Sequence, residues 1–364
     1  PPVMGATAFL IAEFTQTPYI KVCLYGALPA LCYYLVVFTQ VHLEAVKRNL
    51  PTMERKDLPP LSEVLKEAYL LAPVVLILAL LIMGYSVLRA ASVAIAAIIL
   101  LSFLRASTRM GPREFLAALE TGASNAVMVA VTCATASIIV GSVSMTGFGT
   151  KLANLIFYLS MGKLALALFF TMIVAIVCGM GMPATPVYVI LISTAAPAML
   201  DMGVPIVVSH MFIFYFGTMA ALTPPVALSC YAAASLAEAD VNRLSFTALK
   251  LALAGFLIPF MFVYNNGLLL MTGTLGALYA LSTALPGFAA MAIALSGWFY
   301  GPLALWRRAM LIVGALLLIW HGLLTDLLGL AMILSAGLSQ VYYYKQEIRC
   351  KTYQDMVLAN DRKE

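Results

Sequence analysis

The groups in this chain that could do chemistry are mainly backbone oxygens. Two clusters of Gly and Pro interrupt long apolar stretches: residues 178–186 read CGMGMPATP, and residues 217–226 read GTMAALTPPV. Proline lacks an N–H donor and glycine is a poor helix former, so neither cluster is expected to continue a helix. Carbonyl groups freed at membrane depth must be satisfied by protein, water or an ion. Two successive breaks therefore predict a site for a cation and a small solute, and two simple proline kinks are the alternative.

Charged and nucleophilic side chains are scarce around these clusters. Between Lys163 and Glu238 the only formally charged residue is Asp201, and the only histidine is His210. We interpret Asp201 as a solvated cap and His210 as a helix-packing residue, with a proton relay as the alternative for His210. The sequence contains no metal-ligand spacing, nucleophile elbow or phosphate-binding loop. It therefore predicts no catalytic residues, no enzymatic activity and no organic cofactor.

The elements that must position these clusters are membrane helices. Hydrophobic residues make up 63% of the 364 residues and charged residues 10%, and the mean hydropathy is +0.99. A soluble protein carries about 25% charged residues, so we predict an all-α polytopic membrane protein in contact with lipids. The net charge of +5 is too small and too scattered for binding nucleic acid. Because the sequence begins Pro1-Pro2-Val3, we expect it to be the C-terminal part of a longer polypeptide.

The distribution of Lys and Arg predicts the orientation in the membrane. All of these residues except Lys21, Arg89, Lys151 and Lys163 can be placed on one side, which the positive-inside rule makes cytoplasmic. Segment 163–203 must then begin and end on the outer side. Its two limbs have about 16 residues each, and about 24 Å of helix is short for a hydrocarbon core of about 30 Å. We therefore predict that this segment is a re-entrant hairpin.

These residues resemble the large membrane subunit of tripartite ATP-independent periplasmic (TRAP) transporters. The matching motifs run from Gly179-Met180-Gly181-Met182-Pro183 through Ala196-Pro197-Ala198, Gly203-Val204-Pro205 and His210-Met211-Phe212 to Thr223-Pro224-Pro225-Val226-Ala227. The sequences of these motifs are similar to those of the TAXI branch, in which the small and large membrane subunits are fused into one permease. The opening PPVMGATAFLIAEF resembles the first-repeat unwound segment of that branch, and the resemblance covers about residues 1–265.

The resemblance implies a permease of the bacterial inner membrane with an elevator-type ion-transporter fold. A periplasmic substrate-binding protein would deliver small organic anions, such as dicarboxylates or amino acids, and a Na⁺ gradient would drive their import. H⁺ is the alternative coupling ion. The upstream part of the permease, with its small-subunit-like helices, is a further expected partner. A stand-alone symporter or exporter of the same superfamily is the second hypothesis, and a non-transporting membrane scaffold or enzyme is the third.

The resemblance also divides the chain into functional segments. The transport domain comprises residues 1–18, the end of the first-repeat broken helix, and residues 163–245, the second re-entrant hairpin and broken helix. The other segments are scaffold helices and cytoplasmic loops at 19–118, a helix and interfacial arm at 119–162, a scaffold helix at 246–265, extra membrane helices at 266–344 and a cytoplasmic tail at 345–364.

The ion site implied by the family lies between the hairpin tip and the unwound helix. By motif, the Na⁺ ligands, mostly carbonyl groups, are assigned to Gly179, Met180, Gly181, Met182, Pro183, Thr185, Gly217, Ala221, Thr223 and Pro224. A second family ion site would be represented only by Pro1 and Pro2.

An anionic substrate would meet no deeply placed basic side chain in the predicted transport domain, because residues 121–150 and 164–237 contain no Lys or Arg. Its charge must be met by hydroxyls, backbone N–H groups at half-helix N-termini or bound cations. The candidate substrate ligands are Thr185 and Ser229. The alternative is that both hydroxyls bond within their own helices.

Overall fold

The architecture is helical throughout the part of the chain that the structure describes. The structure is a computed structural model, and it describes residues 5, 7–51, 60, 68–104, 108–320 and 322–361. Within these ranges there are helices and connecting turns but no strand, which confirms the predicted all-α polytopic membrane fold. The predicted remnant of a second ion site at Pro1 and Pro2 lies outside the described residues.

The helices follow one another with short connections. The α-helices are α1 (Thr7–Phe14), α2 (Tyr19–Lys47), α3 (Ala72–Ile82), α4 (Val87–Ser102), α5 (Pro112–Thr146), α6 (Phe148–Ser160), α7 (Leu164–Gly179), α8 (Ala184–Thr194), α9 (Ala196–Asp201), α10 (Ile206–Met219), α11 (Leu228–Ala237), α12 (Val241–Ala252), α13 (Ile258–Tyr264), α14 (Gly273–Ser296), α15 (Leu305–Ile319) and α16 (Leu323–Asp361). Short 3₁₀ turns occupy Ala68–Leu71, Ala220–Leu222, Leu253–Leu257 and Asn266–Leu269.

Four helical stretches in the described ranges are long and apolar enough to cross a membrane. They are Tyr19–Lys47, Val241–Tyr264, Gly273–Ser296 and Leu323–Gln346. The two clusters singled out in the sequence lie elsewhere, between shorter apolar helices such as Leu164–Gly179 and Ala184–Thr194. Breaks at those clusters thus divide apolar sequence into pieces that are individually too short to span about 30 Å.

Residues 164–201 form a helical hairpin. Helix α7 ends at Gly179, Gly181 has a φ of +79° that reverses the chain, and Pro183 precedes the first residue of α8. A proline also disfavours helical geometry at the residue before it, which keeps the tip non-helical. The far ends of the two limbs meet again, because Ala167 of α7 and Ala198 of α9 share a buried cluster with Ala153 and Ile156 of α6.

The next element is a helix broken in its middle. Helix α10 ends at Met219 and passes through the 3₁₀ turn Ala220–Leu222 into extended backbone at Thr223, as expected for a residue before proline. The Pro224-Pro225 peptide bond is cis. Ala227 then has a φ of +39°, in the left-handed region that non-glycine residues rarely occupy, and α11 starts immediately after it.

Helix α10 lies at the centre of the fold. It packs against α7, α8, α1 and α13, and ten of its 14 residues are buried. On one side its aromatic rings interlock with the turn that precedes α13 and with α13 itself: Phe212 and Phe260 have centroids 5.6 Å apart, and Phe216 and Phe256 5.8 Å apart. A helix that is apolar on all faces is suited to this enclosed position.

The last three helices form a unit that packs on α2. Helix α14 contacts α2 and α15, and α15 contacts α16 along its length. Helix α16 continues without a break to Asp361, so most of the predicted cytoplasmic tail 345–364 extends the preceding membrane helix.

The predicted orientation can be tested at two exposed residues. We expect single cysteines at Asn154 on α6 and Asn242 on α12, in a cysteine-free background, to react with a membrane-impermeant maleimide from opposite sides of oriented vesicles. Both positions are exposed in the fold, so detergent should make both fully reactive. Reaction of both cysteines from the same side would contradict the charge-based topology and, with it, the re-entrant hairpin.

Candidate functional site at the two helix breaks

The hairpin tip and the broken helix touch each other through glycine. A Cβ atom built on Gly179 would lie 2.6 Å from the Cβ of Ala220 and 2.8 Å from the carbonyl oxygen of Gly217. Real Cβ atoms do not approach other atoms so closely; Gly217 lies near the end of α10, and Ala220 begins the 3₁₀ turn that follows it. The structure therefore brings together the two clusters that are separated by more than 30 residues in the sequence.

Two further contacts fix the same junction. Gly217 faces α8, the second limb of the hairpin. A Cβ atom built on Gly217 would lie 2.9 Å from Val187 Cγ1 and 3.0 Å from Leu191 Cδ1. At the tip, a Cβ on Gly181 would lie 3.7 Å from Val226 Cγ1, just beyond the Pro-Pro pair. The hairpin tip thus approaches the broken helix at several positions, from Gly217 to Val226.

The break carries polar groups that the helix cannot satisfy. Pro225 has no N–H, so the carbonyl of Ala221 lacks its i+4 helical donor, whereas the carbonyl of Ala220 accepts from the Thr223 N–H at 3.1 Å. The Thr223 hydroxyl donates to the carbonyl of Met219 at 2.9 Å and keeps its own lone pairs. Carbonyl and hydroxyl oxygens without a formal charge are suitable ligands for a hard monovalent cation.

Charged side chains are distant from this junction in the sequence. Asp201, which we interpreted as a solvated cap, is the last residue of α9 and is exposed. Among the described residues there is also no group of three or more His, Cys, Asp or Glu side chains that could hold a metal ion. The residues of the junction itself, 178–186 and 217–226, carry no formal charge, so they offer backbone and hydroxyl dipoles.

The two predicted substrate hydroxyls have different surroundings. The Thr185 hydroxyl, in the first turn of α8, lies 3.4 Å from the hydroxyl of Thr7, which is buried at the start of α1. Thr185 thus does not bond back into its own helix but reaches a second element. Ser229, in the first turn of α11, is exposed.

His210 makes a specific buried contact. Its Nδ1 lies 2.6 Å from the Tyr188 hydroxyl, which joins α10 to α8, and both residues are at least 95% buried. Phe14 of α1 packs over Tyr188 with ring centroids 6.3 Å apart. The contact agrees with a packing role for His210 and links α8, the second limb of the hairpin, to the broken helix.

A cavity of about 420 Å³ opens beside the junction. It reaches from the start of α8 and the last turns of α10 to α2, and it is lined by Gly5, Gly26, Pro29, Ala30, Tyr33, Tyr34, Ala184, Met211, Phe214, Tyr215, Thr218, Met219 and Phe262. This volume falls within the range of small-molecule sites, which is about 300–1,000 Å³. None of these lining residues carries a formal charge.

Sequence reasoning did not single out the polar groups of this cavity. Tyr33, Tyr34 and Thr218 are spread over two helices, and each resembles an ordinary core residue when it is viewed alone. Tyr215 is already engaged, because its hydroxyl donates to the carbonyl of Gly255 at 2.9 Å. The adjacent tyrosines Tyr33 and Tyr34 within an apolar stretch were the available signal, since a tyrosine hydroxyl in apolar surroundings usually needs a partner.

The N-terminus of α8 also faces this cavity. Pro183 provides no side-chain cap, and the first-turn residue Ala184 lines the cavity. The first N–H groups of a helix have no intrahelical partner and attract negative charge. Because Pro186 has no N–H, this end offers the amides of Ala184 and Thr185.

Most of the chain matches the sequence model of one known protein family. The sequence model of the family described as tripartite ATP-independent periplasmic transporter, DctM component, matches residues 1–276. The match includes the hairpin, the broken helix and every residue that lines the cavity, and it ends in the first turn of α14. Comparison with curated proteins and with solved structures gives no match for this chain.

The close approach at Gly179 predicts that an alanine substitution there is more damaging than one at Gly217. Gly179→Ala should lower stability by about 1–3 kcal/mol and reduce transport severely, because the new methyl group meets backbone that cannot move aside. Gly217→Ala should cost less, since the ends of Val187 and Leu191 can shift. Thermal unfolding in detergent and uptake in proteoliposomes measure both effects.

The matched control is Gly122→Ala on α5, where no atom lies within 4 Å of an added Cβ. This change should leave stability equal or raise it by about 0.5–1 kcal/mol, as expected for Gly→Ala in a helix. Equal behaviour of the Gly179 and Gly122 variants would refute the tight junction.

Proposed function

The chain belongs to the DctM family of tripartite ATP-independent periplasmic transporters, and we propose that it imports small organic anions together with Na⁺ by an elevator mechanism. Members of this family are permease components of secondary transporters and not enzymes. Large components work with a periplasmic substrate-binding protein and a small membrane subunit. We further propose the bacterial inner membrane as the location and a TAXI-type fusion of the two membrane subunits, on the basis of the sequence motifs.

The observation that carries the proposal is the contact between the hairpin tip and the helix break. At this contact the Gly217 carbonyl, the Ala221 carbonyl and the Thr223 hydroxyl lie on the segment that faces Gly179. We propose that these groups, with Gly179, Met180, Gly181, Met182, Pro183, Thr185 and Pro224, surround one Na⁺ ion. A bound cation would satisfy oxygens that the breaks leave without helical donors and would join the two elements.

The proposed substrate site is the adjacent cavity. An organic anion there would meet the N-terminus of α8 and the tyrosines of α2 instead of a basic side chain. We propose that the Thr185 hydroxyl, next in sequence to the lining residue Ala184, turns from Thr7 towards this anion. A Na⁺ ion held at the neighbouring junction would supply the missing positive charge. Substrate and ion would then stabilise each other, which is the physical requirement for coupled transport.

The proposed elevator movement requires an interface that can slide. Between α10 and the segment Leu253–Tyr264, ring pairs such as Phe212–Phe260 are tilted and interlocked, and the hydrogen bond from Tyr215 to Gly255 crosses the same interface. Dispersion contacts between rings depend less on exact alignment than hydrogen bonds do. Movement of the hairpin and broken helix against α2 and α12–α13 would therefore require the Tyr215–Gly255 hydrogen bond to break and these rings to repack.

The direct test is uptake by proteoliposomes that contain the complete transporter. We expect uptake of a labelled organic anion to require both the periplasmic substrate-binding protein and an inward Na⁺ gradient. Uptake without any binding protein would favour the second hypothesis, a stand-alone symporter of the same superfamily. Uptake driven equally well by a proton gradient in the absence of Na⁺ would favour H⁺ coupling, for which His210 is the buried candidate.

Thr223 provides a residue-level prediction for the ion. Thr223→Val keeps the shape of the side chain but removes the oxygen, so the Na⁺ concentration for half-maximal uptake should rise by about tenfold, the equivalent of about 1.4 kcal/mol. The control is Thr247→Val on α12, because the Thr247 hydroxyl also donates to the carbonyl four residues earlier, that of Arg243, at 2.8 Å. An unchanged Na⁺ dependence in the Thr223 variant would exclude this hydroxyl from the ion site.

Thr185 provides the corresponding prediction for the substrate. Thr185→Val should weaken substrate uptake by about tenfold, as expected for one lost hydrogen bond, and Thr185→Ser should restore it. Thr194→Val on the same helix is the matched control, since the Thr194 hydroxyl donates to the carbonyl of Ile190 at 3.0 Å. Ser229→Ala tests the second candidate hydroxyl in the same assay, and wild-type uptake in that variant would remove Ser229 from the proposed site.

A further inference from the structure

We propose that a groove in the C-terminal helical unit binds an anionic phospholipid, with one acyl chain in the groove and the phosphate at Arg307. The groove has a volume of about 320 Å³ and lies between α14, α15 and α16. The family match ends at residue 276, so this groove lies almost entirely in sequence beyond it and apart from the proposed transport site.

The walls of the groove are suited to a hydrocarbon chain. Its lining includes Ile293, Phe299, Leu311 and Ile333, and Gln340 is the one lining residue with a polar side chain. On α16 the lining runs from Ile333 to Val341, a length of about 12 Å at 1.5 Å per residue. Leu334 and Leu338 line the groove and are 60% and 69% exposed, so it opens towards the surrounding lipid.

The polar end of the groove holds a cation that lacks an anionic partner. Gln340 donates from Nε2 to the carbonyl of Phe299 at 3.1 Å and accepts from Arg307 Nη1 at 2.6 Å. Arg307 Nε is buried and has no hydrogen-bond partner among the described residues. No described carboxylate forms an ion pair with Arg307 either.

The neighbouring cations already have a structural role, which sets Arg307 apart. Arg308 donates from Nε to the carbonyl of Ala294 at 2.9 Å, and Lys47 donates from Nζ to the carbonyl of Ser296 at 3.3 Å. Both therefore stabilise the negative C-terminal end of α14. Arg307 has spare N–H donors in a planar fork, and this geometry matches a phosphate group.

Aromatic side chains place this end at the level of lipid headgroups. The guanidinium of Arg307 lies 4.9 Å from the ring centre of Trp306 and 5.0 Å from that of Tyr343, and both rings are 53% exposed. Exposed Trp and Tyr side chains concentrate at the membrane–water interface. The apolar groove thus ends at a cation flanked by exposed aromatic rings, as the acyl chain of a phospholipid ends at its headgroup.

The test is native mass spectrometry of the purified transporter with phosphatidylglycerol or phosphatidylcholine that carry identical acyl chains. Wild-type protein should retain phosphatidylglycerol about tenfold better, because both lipids offer a phosphate to Arg307 but the choline ammonium of phosphatidylcholine repels the guanidinium. Arg307→Gln should remove this preference. The control Arg243→Gln, at an exposed cation on α12, should preserve it.

A second variant tests the groove itself. Gly337 lines the groove, and an added Cβ there has no atom within 4 Å, so Gly337→Leu should fill the space without a clash and abolish retention of both lipids. Gly122→Leu on α5 is the control for added bulk at a glycine that is equally free of neighbours. Soluble glycerol 3-phosphate should not compete, since it lacks the acyl chain.

Three results would overturn the proposal. The first is wild-type retention of phosphatidylglycerol in both the Arg307→Gln and Gly337→Leu proteins. The second is competition by glycerol 3-phosphate, which would indicate a headgroup site without a chain. The third is loss of a protein dimer, instead of a bound lipid, in the Gly337→Leu protein, which would make a second copy the occupant of the groove.

Discussion

The fold depends on one constraint: backbone groups released from a helix inside a membrane must find partners. The chain breaks its helices at Met180–Pro183 and again at Thr223–Ala227. These two irregular segments are packed against each other through Gly179 and Gly217, where the absence of side chains lets backbone approach backbone. Each break thus forms part of the enclosure of the other, and neither would be tolerated if it faced lipid.

The neutrality of this junction follows from the same constraint. A charged ligand at this depth would need its own counter-charge at all times, because an unpaired ion in a low-dielectric medium is costly. The proposed Na⁺ site, built from carbonyl and hydroxyl dipoles, would not carry that obligation, so it could exist both empty and occupied, as the proposed release of ion and substrate requires.

The two halves of the chain use cations differently. Around the breaks, no Lys or Arg occurs between residues 164 and 237, and dipoles supply the electrostatics. At the C-terminal unit, Arg308 of α15 and Lys47 of the adjacent α2 donate to the last carbonyls of α14, while Arg307 lies beside a groove with exposed aromatic rings. This contrast separates a region without Lys or Arg from one whose cations and exposed aromatic rings suit the membrane surface.

The sequence by itself determined the features that depend on local chemistry. Composition predicted the all-α membrane fold, and proline and glycine predicted both breaks, since a missing N–H or Cβ acts at its own position. The sequences of the motifs also predicted the family that residues 1–276 match.

Only the tertiary structure decided which distant groups meet. It brought Gly179 to Gly217, paired the hydroxyls of Thr185 and Thr7, joined His210 to Tyr188, and opened a cavity towards Tyr33 and Tyr34. These contacts depend on how helices of nearly uniform hydrophobicity pack together. An apolar residue looks the same in sequence whether it faces lipid, a cavity or another helix, because what distinguishes those positions is the neighbouring helix and not the residue itself.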